Sequence, residues 1–160
     1  MTHSLAVREV VEPDETGSST IRDLEASTAS SRRFGLRLME MRLEVVPLPV
    51  SDVDASKAFY ADQVGFVLDH DVAPGNGMRI VQLTPPGSGC SIVFGTGIGD
   101  PDRGRVQNLH LVVTDIASAR AELAERKVEI SEIKDMGGVK YAFFGDPDGN
   151  TWALQEIPPR

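Results

Sequence analysis

Leu48-Pro49-Val50-Ser51-Asp52-Val53-Asp54-Ala55-Ser56-Lys57-Ala58 returns as Leu111-Val112-Val113-Thr114-Asp115-Ile116-Ala117-Ser118-Ala119-Arg120-Ala121, with Asp52 and Asp115 fixing the offset at 63 residues. Leu, Val, Asp and Ala recur identically, while Ser/Thr, Val/Ile and Lys/Arg replace one another. Both copies have the same physical reading. Each begins with an alternating strand, residues 43–50 or 109–113, and passes through a Ser/Thr-Asp pair whose oxygens suit a helix N-cap. A short amphipathic helix follows each: 54–63, ending before Gly65, and 117–126, with Ala119, Leu123 and Ala124 as its buried stripe.

Outward from these helices, three strands are expected in each half. In the first they are 66–69, 79–83 and 90–94, separated by Ala73-Pro74-Gly75-Asn76-Gly77 and Pro85-Pro86-Gly87-Ser88-Gly89. In the second they are 128–133, 141–144 and 151–156, separated by Gly137-Gly138 and Asp146-Pro147-Asp148-Gly149-Asn150. The unit is βαβββ, present twice, and the fold class is α+β. Units of about sixty residues bury too little apolar surface to stand alone, so the two should pack together. Two four-stranded sheets with helices outside would present concave inner faces, and the space between them is a natural ligand cavity.

Composition narrows the function classes. The chain is 41% hydrophobic and 25% charged, with no apolar run approaching the ~18 residues of a membrane span, so neither a membrane protein nor a membrane partner is expected. A formal charge of −8 repels phosphate backbones and speaks against nucleic acid, while tolerating cationic small molecules. The one cysteine, Cys90, can form no intramolecular disulfide and suits a reducing cytosol, so a cytoplasmic location is expected. Residues 1–40 are rich in Ser, Thr, Glu, Asp and Arg without sustained periodicity, and read as a disordered or loosely ordered arm. Arg8 and Glu9 interrupt the early apolar pieces, which argues against an export signal. Arg32-Arg33 leads into no apolar core, and Met39 and Met41 leave open an upstream translation start.

The tandem βαβββ pattern, the Val50-Ser51-Asp52-Val53-Asp54 and Val113-Thr114-Asp115-Ile116 turns, and Phe144-Gly145-Asp146-Pro147-Asp148-Gly149-Asn150 before a last strand resemble the vicinal oxygen chelate superfamily. That superfamily includes glyoxalase I, bleomycin-resistance proteins, fosfomycin-resistance enzymes and extradiol dioxygenases. The resemblance spans residues 42–157 and divides a single domain, 41–160, into module one (42–95) and module two (106–157). It implies the fold more specifically than the reaction, because one scaffold hosts several chemistries and some pure binders. It also implies a homodimer, in some relatives by module exchange. Here the chain would cross in the 95–105 linker, which contains Gly95-Thr96-Gly97-Ile98-Gly99.

Metal-dependent relatives hold a divalent ion on a first-strand and a last-strand residue of each module. The resemblance carries those positions onto Val45, Ser91, Asn108 and Ala153. Valine and alanine offer no donor, and neutral Asn and Ser are weak ligands for zinc, iron or nickel. Glu44, His110 and Glu156 lie nearby. Strand parity turns Glu44 and Glu156 away from the cavity and leaves only His110 on its side, so no metal cofactor is expected. The same parity gives a mostly apolar cavity set: Leu43, Val45, Pro47, Ser91, Val93, Asn108, His110, Val112, Tyr141, Phe143, Thr151, Ala153 and Gln155. The expected ligand contacts are Val45, Ser91, Asn108, His110, Tyr141, Phe143, Ala153 and Gln155. Each polar member also has a structural reading: His110 as a hydrogen-bonded sheet residue, Tyr141 as packing, Asn108 and Gln155 as partners of one another.

Trp152, on the opposite parity, is expected in the core, Cys90 is expected to be inert, and Asp146 and Asp148 are read as turn residues. Two functions remain. The first is a metal-independent, bleomycin-resistance-like protein that binds a small, aromatic ligand between the modules. The second is a lyase, isomerase or dioxygenase in which His110 is the catalytic residue, a general base, or in which a metal binds at an unorthodox set. A blander third is an accessory domain whose dimer surface is the function.

Overall fold

The computed structural model describes residues 40–100, 102 and 104–159. The expectations for the arm, the export signals and the alternative start fall outside these residues, apart from those at Glu40 and Met41. Two four-stranded sheets are present, with strand order β1-β4-β3-β2 in the first and β5-β8-β7-β6 in the second. The first is built from β1 (Val45–Pro47), β2 (Val67–Gly75), β3 (Met78–Thr84) and β4 (Ser91–Phe94). The second comprises β5 (Leu109–Val112), β6 (Lys134–Met136), β7 (Val139–Gly145) and β8 (Thr151–Glu156). In each sheet the first strand runs parallel to the last, and the others pair antiparallel. The α+β class and the doubled βαβββ topology are therefore as read from the repeat.

Helix α1 (Val53–Ala58) starts at Asp52, whose carboxylate accepts the Ala55 N–H at 3.0 Å. It continues as a π-helical turn, Phe59–Val64, and stops at Gly65 in the left-handed conformation, φ 87°. A side chain at Gly65 would also run into the Arg126 guanidinium, with Nη1 only 2.3 Å from the position of a Cβ. The wider turn sets two successive residues, Phe59 and Tyr60, into the core. Helix α2 (Ile116–Glu125) is regular. Asp115 caps it, accepting from Ala117 N–H, Ser118 N–H and Ser118 Oγ, and Glu156 accepts the Ile116 N–H at 2.8 Å. Its buried residues are Ile116 and Leu123, with Ala119 partly covered; Ala124, expected in the stripe, is exposed.

The strand expected over 128–133 is displaced to Lys134–Met136. Val128 is instead buried in the core, and Ile130 makes only a single bridge to Phe144. Side chains interrupt the ladder there: Ser131 Oγ accepts the Phe143 N–H, and Arg120 Nε donates to the Ser131 carbonyl. In module one, the residues expected as a separator extend β2 to Gly75. The turn shrinks to Asn76-Gly77, both at positive φ, which matches the twist of a two-residue hairpin.

The core joins the two modules through their helix-side faces. Tyr60 has no exposed surface and packs against Phe59, Phe66, Phe94 and Trp152, and Phe144 stacks on Trp152 at 6.2 Å. Polar groups inside this contact are all matched. Tyr60 Oη donates to Asp146 at 2.8 Å and accepts from Trp152 Nε1 at 3.0 Å. Burial, followed by the Asp146 charge, pushes the tyrosine pKa far up, which keeps the hydroxyl a donor. Asn150 donates to Asp146 and to the Pro49 carbonyl and accepts the Val106 N–H, while Asp148 accepts the Ser51 N–H. The Asp-Pro-Asp-Gly-Asn turn thus does more than reverse the chain: it ties module two to the strand-to-helix corner of module one.

Candidate ligand-binding site

Because the bulky aromatics lie on the helix side and bury one another, the opposite faces of the two sheets are left open. Val45 and Val112, both expected to face the cavity, are 43% and 63% exposed. A cavity of about 600 Å³ lies elsewhere, lined by Val64–Phe66, Pro85–Ser88, β5 and α2. Of the expected set only His110 and Val112 reach it. The other expected contacts lie outside that cavity, on the open faces of the two sheets, which form one half-site each, and His110 stands where the second half-site meets the cavity.

Four of the expected ligand contacts come together on the second sheet. Pairing sets His110 beside Ala153 and Val112 beside Gln155 across β5 and β8, and sets Tyr141 opposite Gln155 and Phe143 opposite Ala153 across β7 and β8. His110 Nδ1 lies 2.9 Å from Gln155 Oε1, and Gln155 Nε2 donates to Tyr141 Oη at 3.0 Å. With its amide nitrogen committed to Tyr141, Gln155 presents its oxygen to His110, so Nδ1 donates to it. Nε2 is left facing away from this bond, and the Tyr141 hydroxyl, which accepts from Gln155, keeps its own proton to donate. The Tyr141 and Phe143 rings lie nearly parallel, 9° apart with centroids at 6.1 Å, and the imidazole stands edge-on to Tyr141 at 6.0 Å. The arrangement offers a ring nitrogen, a hydroxyl donor and two parallel aromatic rings.

The remaining four expected contacts are placed differently. Ala153 has no exposed surface and forms the floor between His110 and Phe143. Asn108 sits just before β5 in the left-handed region, φ 57°, and its N–H donates to Thr151 Oγ1 instead of its side chain pairing with Gln155. Val45 and Ser91 lie side by side on the open face of the first sheet. Ser91 belongs there to a polar row that the sequence reading missed: Thr84 Oγ1 is 2.7 Å from Ser91 Oγ, and Gln82 and Thr84 both donate to Asp69. Alternation along β3 from the Ser91 row would have found Gln82 and Thr84. Asp69 is the extra residue of a bulge between Leu68 and His70, and no sequence pattern announces it.

At the positions where relatives hold a metal, the chain offers two alkyl groups, a hydroxyl already engaged and an amide next to a strand end. That donor set does not fit a divalent ion. Glu156 is occupied on the helix side, where the Ile116 N–H and then Lys140 hold its pKa below the ordinary carboxylate range. Among the described residues no three His, Cys, Asp or Glu side chains gather into a metal-holding group. No helix of the described residues is long and apolar enough to cross a membrane.

The family model described as Glyoxalase/Bleomycin resistance protein/Dioxygenase superfamily matches residues 42–154. The chain belongs to this superfamily. Its fold is similar to TnmS3, an antibiotic binding protein from Streptomyces sp. CB03234, at 32% identity and a TM-score of 0.65, covering 74% of this chain and 98% of that one. A glyoxalase/bleomycin resistance protein from the same Streptomyces is 33% identical, with a TM-score of 0.59, covering 71% of this chain and 98% of that one. A superfamily member from Sphaerobacter thermophilus is 29% identical, with a TM-score of 0.63 and coverage of 74% and 99%. No curated protein matches the chain.

Proposed function

We propose that this superfamily member is a cytosolic, metal-independent binding protein that holds a small planar organic ligand on the open face of its second sheet. It works as a homodimer in which a second copy covers that face. The reading is carried by the ordered chain His110–Gln155–Tyr141 beside the parallel Tyr141 and Phe143 rings. A planar ligand gains by stacking on such rings, and the His110 ring nitrogen and the Tyr141 hydroxyl orient it. The similarity to an antibiotic binding protein and a bleomycin-resistance protein supports a binder. The exposed apolar side chains Leu43, Val45 and Val112 on the open faces support coverage by a second copy.

Fluorescence titration with (hydroxymethyl)anthracene, a neutral planar probe with one hydroxyl, tests this on protein dialysed against chelator. The expected result is saturable binding that chelation leaves unchanged and that Phe143→Ala weakens about tenfold, the scale of one lost aromatic contact near 1.4 kcal/mol. Absence of binding, or binding that needs stoichiometric metal by mass spectrometry, overturns it. Sedimentation should give twice the chain mass.

One observation favours a second reading, an enzyme with His110 as general base: its Nε2 has no partner among the described residues and is free to take a substrate proton. His110→Ala separates the two readings, since it would abolish turnover of a substrate in an enzyme but only lower affinity in a binder.

A further inference from the structure

The open face of the first sheet is chemically unlike that of the second, and its polar row is directional. Gln82 Nε2 donates to Ser91 Oγ at 3.4 Å and to Asp69 Oδ2 at 3.3 Å. Thr84 Oγ1 donates to the same carboxylate oxygen at 2.5 Å, so in the Ser91–Thr84 contact the serine is the donor. The row ends on Asp69, which accepts from both Gln82 and Thr84. Both donors converge on Oδ2, and Oδ1 has no protein partner among the described residues. Arg79 of the hairpin and Lys57 of α1 serve Asp71 and Asp54 instead. That leaves a carboxylate anchored by neutral donors, aimed by a bulge onto an open face and without an ion pair among the described residues, in a chain of net charge −8.

We infer that Asp69 is a specificity-determining residue that takes the cationic group, an ammonium or guanidinium, of the ligand, and that it reaches each aromatic face from the second copy of the dimer. This rests on the binding function proposed above. Buried residues of both modules form one core within the chain, and the second copy of the proposed dimer is what brings an acidic half-site over an aromatic one. The ligand class is thereby narrowed to planar aromatics bearing a positively charged arm.

The test uses a matched probe pair, (aminomethyl)anthracene as the ammonium and (hydroxymethyl)anthracene as its neutral isostere, titrated against the full-length protein. The wild type should bind the ammonium about tenfold more tightly, a ratio corresponding to ~1.4 kcal/mol. Asp69→Asn, an isosteric change at an exposed site, should erase that preference, bringing the ratio of the two affinities to about one, while leaving the melting temperature unchanged. Co-expressed Asp69→Asn and Tyr141→Ala chains, purified as mixed dimers through two tags, should recover wild-type affinity for the ammonium at half of the sites. No preference in the wild type, equal weakening of both probes by Asp69→Asn, or no recovery in mixed dimers overturns the inference while binding itself stands. If neither probe binds the wild type, the proposed function fails and the inference with it.

Discussion

The two modules share a backbone plan and differ in almost everything placed on it. Module one ends its helix in a π turn that drives Phe59 and Tyr60 into the core, whereas α2 runs regularly and buries Leu123 at the position that repeats Tyr60. The link before β4 is closed by the local Ser88 hydroxyl, while the link before β8 carries Asp146, Asp148 and Asn150, all bonded across to module one. On the open faces, Asp69, Gln82, Thr84 and Ser91 oppose in character His110, Tyr141, Phe143 and Gln155. Duplication thus keeps what the backbone needs, the cap and the alternation. It frees the side chains to become a clamp on one side and a recognition surface on the other.

The sharpest way to break this comparison is at the clamp. Asn150 is fully buried, and replacing it with Ala removes donors to Pro49 and Asp146 and the acceptor of the Val106 N–H, leaving buried polar groups unmatched. Asn150→Ala should cost about 2–4 kcal/mol in urea unfolding. Ser88→Ala, which loses only contacts to its own neighbour Cys90, should cost less than about 1 kcal/mol. Equal losses would mean that the second link is no more than a turn.

The repeat was legible because Asp52 and Asp115 recur with alternating strands before them, and these features depend on local chemistry. The caps, the Gly65 stop and the core position of Trp152 followed from the same local rules. What could not be read was the side on which the modules meet. Strand parity separates two faces but does not say which pair will bury, and here the aromatic helix-side faces win because they carry Tyr60, Phe66, Phe94, Phe144 and Trp152. For the same reason the grouping of His110, Tyr141, Phe143 and Gln155 was visible in parity alone. Asn108 was misplaced by a left-handed residue, and Asp69 was missed because a bulge breaks the period of two.

Acid should separate the modules next. Glu156 has its pKa lowered, first by the Ile116 N–H and then by Lys140, so it is deprotonated more readily in the folded chain than in the unfolded one. The sign follows: its stabilisation is present above the ordinary carboxylate range and is lost as pH falls through that range toward the folded value. Asp71, held down by Arg79 and Lys57, behaves in the same direction in module one. Urea midpoints measured between neutral and acid pH should fall for the wild type. Glu156→Gln should lower the neutral-pH midpoint and narrow the gap at acid pH, with hydrogen exchange reporting the loss at α2 and not at α1. A Glu156→Gln curve parallel to the wild type at every pH would remove this carboxylate from the account.

The smallest contrast lies in the two caps that first revealed the repeat. Asp52 accepts one backbone N–H, from Ala55, whereas Asp115 accepts two backbone N–H groups and the Ser118 hydroxyl, whose bonds to it also lower its pKa. The helices they start are held differently as well. Beyond its six residues α1 passes into the π turn that Phe59 and Tyr60 anchor in the core, while α2 relies on Ile116 and Leu123 and on its own first turn. Asp115→Ala should therefore lower the melting temperature more than Asp52→Ala and should speed amide exchange at Ala117 and Ser118. The same change at Asp52 should speed exchange at Ala55 alone, because the aromatic anchor downstream keeps the rest of the segment in place. Equal melting shifts would show that the anchor adds nothing to α1, and that the duplicated aspartates remain interchangeable despite everything that has diverged around them.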